Sequence, residues 1–381
     1  MSWSASLLWL SIAGLAYIYA GYPLLVGLLG KLRRRTVTRE PWVGTLSVVI
    51  AGYNEAKRLT AKLDSVFAST IADRIVEVLI GSDGSDDDTR EVLARYGDPR
   101  VRLVHFDMRR GKPAVLNDLV PQCQGETVIL TDARQQLDSE GVARLCARFS
   151  DPTVGVVSGE LMFRCSADDT AAAKGMGAYW TYEELIRKSE ASFRSVPGAT
   201  GAFYAIRRQL FRAVPENTLL DDVVIPMQAV EQGYRCVLED GAIAWDAPSQ
   251  STRQESIRKR RTIAGCAQLI VNQPRWLLPW RNPIWWEFIS HKLLRLVSPL
   301  LLVIALSANV ALATTPVYRA LLIAQIAFYG AALLAWGLSQ IGRRLPLLGT
   351  VLMFVSLNVT TVLALWDAIR GRFRATWQRS A

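Results

Sequence analysis

The chain has 381 residues, half of them hydrophobic, and a positive mean hydropathy, which is more apolar character than a soluble domain of that length requires. The net charge of +10 would suit a nucleic acid, but the excess lies beside apolar blocks, at 33–35, 258–261, 343–344 and 370–374. No RNA- or DNA-binding motif accompanies it, so nucleic acid is excluded as a partner and anionic membrane lipids are favoured. Five dispersed cysteines (Cys123, Cys146, Cys165, Cys236, Cys266) without a CxxC read as reduced packing residues. With His105 and His291 as the sole histidines, a histidine-built zinc site is excluded, and any metal is a hard cation held by oxygen.

Residues 5–30 are apolar and uncharged, followed by Lys31-Leu32-Arg33-Arg34-Arg35. Positive charge after the apolar core reads as an anchor rather than a cleaved signal, and keeps the soluble domain behind it in the cytoplasm. Residues 46–51 are a β-branched strand ended by Gly52, with a helical pattern over 55–69. A second strand at 76–82 stops at Asp83-Gly84-Ser85, and Asp86 to Asp88 supply capping charge for a helix to Tyr96. Strands at 101–106, 127–131 and 154–159 alternate with helices at 113–120 and 139–149. The alternation predicts an α/β fold with a mainly parallel sheet, whose ligands bind at the carboxyl ends of the strands, where Asp83 and Asp132 lie.

After Gly159 the pattern changes. An amphipathic helix over 171–194 ends at Pro197-Gly198-Ala199-Thr200-Gly201, and a short strand runs to Ile206. Asp222 opens a helix that Gly233 stops, and two short strands come next, at 235–238 and 242–246. Residues 256–272 form a basic amphipathic helix, trailed by Trp276, Trp280, Trp285 and Trp286. Segment 254–289 is therefore expected on the membrane surface. Apolar stretches at 293–313, 320–338 and 345–366 approach the roughly 20 residues a spanning helix needs. One span before the domain and three after it leave the basic 370–379 tail outside, against the positive-inside rule.

The first turn, Ala51-Gly52-Tyr53-Asn54-Glu55, has one glycine and no Walker lysine, which rejects a dinucleotide fingerprint. Asp83 at a strand tip can accept hydrogen bonds from a nucleobase or ribose, or simply make a turn. Arg110-Gly111-Lys112 before a helix start suits a diphosphate or a solvated basic loop. Asp132 can share Mg²⁺ or Mn²⁺ with a nucleoside diphosphate, or cap the next segment. Asp221-Asp222 are a helix cap or, in a low-dielectric cleft, supply a general base for an acceptor hydroxyl.

In this order, and with the membrane segments, these sites resemble the membrane-bound family 2 inverting glycosyltransferases of GT-A fold, the group containing cellulose, chitin, hyaluronan and poly-N-acetylglucosamine synthases. The resemblance runs from about 46 to 299. Val48-Val49-Ile50-Ala51-Gly52-Tyr53-Asn54-Glu55 is similar to the opening strand and its turn, and Ser82-Asp83-Gly84-Ser85 to the donor-nucleotide motif. Arg110-Gly111-Lys112-Pro113-Ala114-Val115-Leu116-Asn117 looks like the Gly-Lys…Leu-Asn segment, and Thr131-Asp132-Ala133-Arg134 sits where Asp-x-Asp belongs. Gly198-Ala199-Thr200-Gly201-Ala202 is similar to the acceptor glycine loop, and Leu220-Asp221-Asp222 falls at the Glu-Asp motif. The resemblance implies Asp222 as catalytic base and Asp132 as metal ligand. It implies Asn54, Glu55, Asp83, Lys112, Arg134, Arg258 and Arg261 at the donor nucleotide, and Gly198, Thr200, Gly201 and Asp221 at the acceptor. The chain departs from the pattern in three places: Arg134 replaces the second Asp of Asp-x-Asp, and Asp221 replaces Glu. In the Gln-x-x-Arg-Trp motif before Gly265, Arg258 and Thr262 replace Gln and Trp, while Arg261 keeps the arginine. In processive members that Trp stacks on the acceptor sugar, so processivity stays open.

The expected organisation is an anchor with its basic stop at 1–35, a cytoplasmic GT-A domain at 44–250, interfacial helices at 251–290 and a spanning region at 291–381, in a bacterial inner membrane. The implied reaction moves a sugar, with inversion, from a nucleotide-sugar, UDP-linked, to a glycan or lipid-linked acceptor, with a divalent cation as cofactor. Three other readings stand beside it. One is a non-catalytic nucleotide-sugar-binding subunit, to which Arg134 and the altered arginine motif give weight. Another is a transferase moving one sugar to a polyprenyl phosphate. The third is a transporter, which four spans with few intramembrane charges supply poorly with polar groups.

Overall fold

The computed structural model describes residues 2–35, 40–164, 171–247, 252–341, 343 and 346–372; Cys165, Arg344 and the tail beyond Arg372 lie outside them. The chain enters through α1 (Trp3–Ala16) and α2 (Tyr22–Leu32), joined by a π-helical turn at Tyr17–Gly21. The domain then runs β1 (Leu46–Gly52), α3 (Ala56–Phe67), β2 (Ile75–Asp83), α4 (Thr89–Tyr96), β3 (Val101–Phe106), α5 (Lys112–Leu119) and β4 (Thr127–Asp132). It continues with β5 (Gln136–Leu137), α6 (Gly141–Ala147), β6 (Val154–Phe163), α7 (Ala171–Phe193), β7 (Phe203–Arg207), α8 (Asp221–Glu231) and β8 (Arg235–Asp246).

The eight strands form one sheet in the order β3-β2-β1-β4-β7-β6-β8-β5. The β3-β2-β1-β4 half is parallel throughout. The other half is mixed: β7 runs antiparallel to both β4 and β6, β8 parallel to β6, and β5 antiparallel to β8. Two predicted boundaries moved. The expected pair of strands at 235–238 and 242–246 is the single strand β8, which absorbs a register shift against β6. That pairing also carries β6 on to Phe163, through Glu160↔Ile243 and Phe163↔Asp246.

Apolar side chains pack on both sheet faces. On one, Val48 and Ile50 meet Leu59, Leu63 and Val66 from the inner stripe of α3. On the other, Val49 and Leu130 share a core with Leu116, Val223, Trp276 and Phe288. Trp276, expected at head-group level, is fully buried there, its ring edge-on to Phe288 with centroids 5.7 Å apart. The four described cysteines, Cys123, Cys146, Cys236 and Cys266, are buried and free, as packing residues are.

Beyond β8 come α9 (Thr252–Asn272), α10 (Trp285–Glu287) and a π-helical segment Phe288–Leu293 that continues into α11 (Leu294–Ala311). Helices α12 (Pro316–Gln340) and α13 (Pro346–Ile369) are the last regular elements among the described residues. Among the described residues, four stretches are long and apolar enough to cross a membrane: Trp3–Leu32, Trp285–Ala311, Pro316–Gln340 and Leu348–Ile369. Leu24, Leu28, Leu300, Val303, Leu333 and Trp336 point outward from them, as lipid-facing residues do.

Helix α7 fastens this bundle to the sheet. One face, Glu183-Ile186-Glu190-Phe193, meets α2 and the π segment. Glu190 accepts from the Tyr22 hydroxyl, and His291 bridges Glu190 (Nδ1, 2.8 Å) and Glu183 (Nε2, 3.0 Å). Arg295 pairs with Glu183, and Arg194 forks onto Glu287 at 2.7 and 2.8 Å. At the opposite end of the chain, α13 lies along α9: Asp367 pairs with Arg260, and Ala364 packs with Ala264 and Leu219.

Candidate active site

The carboxyl ends of β1, β2 and β4 make the rim of the site. Asn54 has φ +56°, a left-handed turn that asparagine tolerates. Its side chain ties β1 to the loop after β2: Nδ2 donates to Asp86 Oδ1, and Oδ1 accepts from Asp86 N at 3.0 Å. Glu55 is held by Arg58 at 2.6 Å. Asp83 is fully buried, and its two oxygens accept from the backbone N–H of Arg110 (2.7 Å) and Gly111 (2.8 Å). It thus fixes the turn before α5 instead of standing open to a nucleobase. Gly84 allows that closeness, since a Cβ there would lie 2.8 Å from Arg109 N. On this turn the Arg109 guanidinium stacks 3.8 Å from the Tyr53 ring centroid, with Nε and Nη2 buried and unpartnered. Neither residue stood out in the sequence, although Tyr53 lies inside the first-turn motif.

At the reaction centre, Lys112 begins α5 behind Gly111, whose φ is +96°. Lys112 Nζ lies 2.6 Å from Asp132 Oδ1, 3.3 Å from Gly201 O and 3.6 Å from Asp221 Oδ2. Burial disfavours its charge, but Asp132, Asp221 and Asp222 outweigh burial and hold the ammonium above its ordinary range. Asp221 is buried, with Oδ2 lacking a hydrogen-bond partner. Burial, with Asp221 adding to it and Lys112 and Lys292 opposing, pushes the Asp222 carboxyl up to about 6. The glycine loop lies on these acids: Ala199 N donates to Asp222 O at 2.7 Å, and a Cβ on Gly201 would sit 3.0 Å from Asp222 Oδ2. Gly198, at φ +130°, faces Val223 just as closely. Thr200 Oγ1 accepts from Arg187 Nη1 at 2.9 Å, and both residues also contact Ser158 Oγ.

A second buried lysine underlies this centre. Lys62 Nζ donates to Thr131 Oγ1 (2.7 Å) and Gln135 O (2.9 Å), and Thr131 Oγ1 donates to Ala202 O (2.7 Å). Burial pushes it down to about 7 against the pull of Asp132. Its place on the inner stripe of α3 was the available signal.

The arginines divide. Arg134 is engaged by Asp246, which also accepts from Gln135 Nε2 at 2.9 Å, so it clamps the end of β4 to β8. Arg261 and Arg258 lie one and two turns before Gly265, respectively, on one face of α9. That face docks beside the acids: a Cβ on Gly265 would meet Leu220 Cγ at 2.5 Å, and Gln268 Oε1 accepts from Leu219 N at 2.9 Å. Arg261 Nε is buried and unpartnered.

Among the described residues, no three His, Cys, Asp or Glu side chains group as a metal site. Asp132 and Asp221 do flank one cationic position, held by Lys112 Nζ, and the Asp221 Oδ2 that faces it makes no hydrogen bond. A divalent cation fits beside Asp132 if the substrate's phosphate oxygens complete its ligands.

A family model described as Glycosyl transferase family 2 matches residues 47–214, a span that holds Asn54, Asp83, Lys112, Asp132 and the glycine loop but neither Asp221 and Asp222 nor the arginines of α9. The chain is 22% identical over 205 residues to a poly-beta-1,6-N-acetyl-D-glucosamine synthase of Staphylococcus epidermidis, covering 52% of this chain and 49% of that one. It is 25% identical over 241 residues to glycosyltransferase AglD of Haloferax volcanii, covering 59% and 37%. To the dolichyl-phosphate beta-glucosyltransferase of Mus musculus it is 31% identical over 117 residues, covering 28% and 36%. The chain thus spans about half or less of each of these relatives. Among solved structures, the mannosyltransferase PcManGT of Pyrobaculum calidifontis, in complex with GDP-Man and Mn²⁺, superposes with a TM-score of 0.70. Their identity is 22%, covering 96% of this chain and all of that one.

Proposed function

Residues 47–214 are a family 2 glycosyltransferase domain in a GT-A fold, and from that premise we propose that the chain is an inverting, membrane-bound sugar transferase. Its donor is a nucleotide-diphospho-sugar, UDP-linked. Its acceptor is a glycan or lipid-linked glycan, and the catalytic domain faces the cytoplasm. The observation that carries this reading is the convergence of Asp132, Asp221 and Asp222 around Lys112, with the glycine loop laid against the Asp222 carboxylate.

The donor's base lies at the rim, where Asn54 and Asp83 shape the loops and Tyr53 with Arg109 offers a flat, cationic face. Lys112, Arg258 and Arg261 bind its diphosphate. A divalent cation, bound at Asp132, supplies charge neutralisation for the departing diphosphate. Asp222, with its raised proton affinity, takes the proton from the acceptor hydroxyl, beside Thr200 and a Gly201 whose missing side chain leaves the carboxylate uncovered. Attack from the face opposite the diphosphate inverts the anomeric carbon. Asp221, buried beside Lys112, orients that ammonium.

The test is transfer of isotopic sugar by the purified chain in nanodiscs, across a panel of uridine and guanosine donors, with Asp222→Asn as control. One donor is expected to support transfer, and the variant to lose about 10²- to 10⁴-fold while still binding nucleotide. Near-normal turnover by the variant, or no transfer from any donor, overturns the proposal.

A further inference from the structure

Helix α7 has a second face, Trp180-Glu184-Arg187, spaced i, i+4, i+7 and not used in fastening the membrane helices. This face runs antiparallel to β6 and meets it in three successive contacts. Arg187 donates to Ser158 at 2.8 Å, Glu184 is hydrogen-bonded to Glu160, and Trp180 stands edge-on to Phe163 with centroids 6.2 Å apart. The Arg187 contact is the inner end of the row: it also holds Thr200, whose neighbour Gly201 lies against Asp222. At the outer end Trp180 is 42% exposed. The row covers about 10 Å of helix, enough for roughly two or three hexose units.

The chemistry along the row is graded. Near the reaction centre it offers hydroxyls and a guanidinium. In the middle, burial and the adjacent Glu184 push the Glu160 carboxyl up to about 7, so the pair keeps a proton near neutrality and can both donate to and accept from hydroxyl groups. Lys188 pairs with Glu184 itself and lies 3.1 Å from Asp240, so one ammonium stands among three carboxyl groups. The outer end offers an aromatic face, against which the C–H surface of a sugar ring packs. With three carboxyl groups to one ammonium at mid-row, an acidic chain is disfavoured there.

We propose that the α7–β6 seam is an acceptor track for an uncharged oligosaccharide, whose terminal hydroxyl reaches Asp222 while its preceding units lie along Glu160–Glu184 and on Trp180. The proposal rests on the transferase reading for the identity of its inner end. It makes the acceptor a glycan of several units rather than a bare lipid phosphate.

The test is calorimetric binding to the full chain in nanodiscs, using one- to five-unit oligomers of β-linked N-acetylglucosamine, of mannose and of glucose, with an oligouronate as the acidic comparison. Affinity in at least one neutral series is expected to rise with length to the third unit, and the oligouronate to bind more weakly. Trp180→Ala is expected to weaken the pentamer about tenfold, and Trp180→Phe to restore most of it. Glu184→Gln is expected to shift the pH dependence of binding near 7. Absence of any length dependence, equal loss in the alanine and phenylalanine variants, or equal affinity for the oligouronate overturns the track. Transfer without length-dependent binding sinks the track alone, whereas Trp180-dependent binding without transfer from any donor sinks the transferase reading alone.

Discussion

Asp222 is held where its charge is disfavoured, and replacing it has a signed consequence for stability as well as for catalysis. Its carboxyl titrates near 6 against an ordinary 3.8, a preference of about 3 kcal/mol for the protonated form. The side chain is partly exposed, so solvent screening reduces the expected share to about 1–2 kcal/mol. A carboxyl raised by folding binds its proton more tightly in the folded state. Its favourable contribution is therefore complete below pH about 4, declines as pH rises towards 6, and stays lost above that. Asparagine keeps the shape without the charge. Asp222→Asn is predicted to melt about 2–8 °C above the unsubstituted chain at pH 8, and to match it at pH 4. The same variant is predicted to lose about 10²- to 10⁴-fold in transfer. Melting in nanodiscs at pH 4, 6 and 8, tracked by tryptophan fluorescence, measures the effect. A variant that gains nothing at pH 8, or gains equally at every pH, refutes the burial argument.

Gly201→Ala places a methyl group 3.0 Å from Asp222 Oδ2; turnover is expected to fall about 10- to 100-fold with the melting temperature little changed, and unchanged turnover would separate the loop from the acid. His291→Ala leaves the buried carboxylates Glu183 and Glu190 without their shared partner, and is expected to cost about 3–5 kcal/mol in chemical denaturation; a loss below about 1 kcal/mol would make the bridge incidental. Chelation is expected to stop transfer and Mn²⁺ or Mg²⁺ to restore it, with Asp132→Asn needing about tenfold more cation; indifference to chelator removes the metal from the scheme.

The strand ends were readable because they are local. A β-branched run stopped by Asp-Gly or Asp-Ala announces its own tip, and the order of such tips carried the likeness to a family. Contacts between distant segments were not readable. Nothing near Arg134 in the chain signals Asp246, which draws it to β8, and nothing near Asp83 signals that two backbone amides will occupy its carboxylate. Trp276 looked interfacial by composition, yet the segment after α9 returns it to the core. The two residues of β5 are too few for any periodicity, and β8 read as two strands because Gly241 interrupts its alternation. Lys62 and Arg187 sat within ordinary amphipathic patterns; only the pairing of helices with strands brings them beneath Asp132 and beside Thr200.

The contact between α13 and α9 links the depth of one helix to the shape of the reaction centre. Asp367 grips Arg260, and Ala364 presses on Leu219, two residues ahead of Asp221. A bilayer thicker or thinner than the apolar length of Leu348–Ile369 tilts that span, and hydrophobic mismatch of this kind costs fractions of a kcal/mol per ångström. Because α9 carries Arg260 and Arg261 side by side and Leu219 lies in the same cluster as Ala364, turnover is expected to peak at one acyl-chain length and to decline on either side of it.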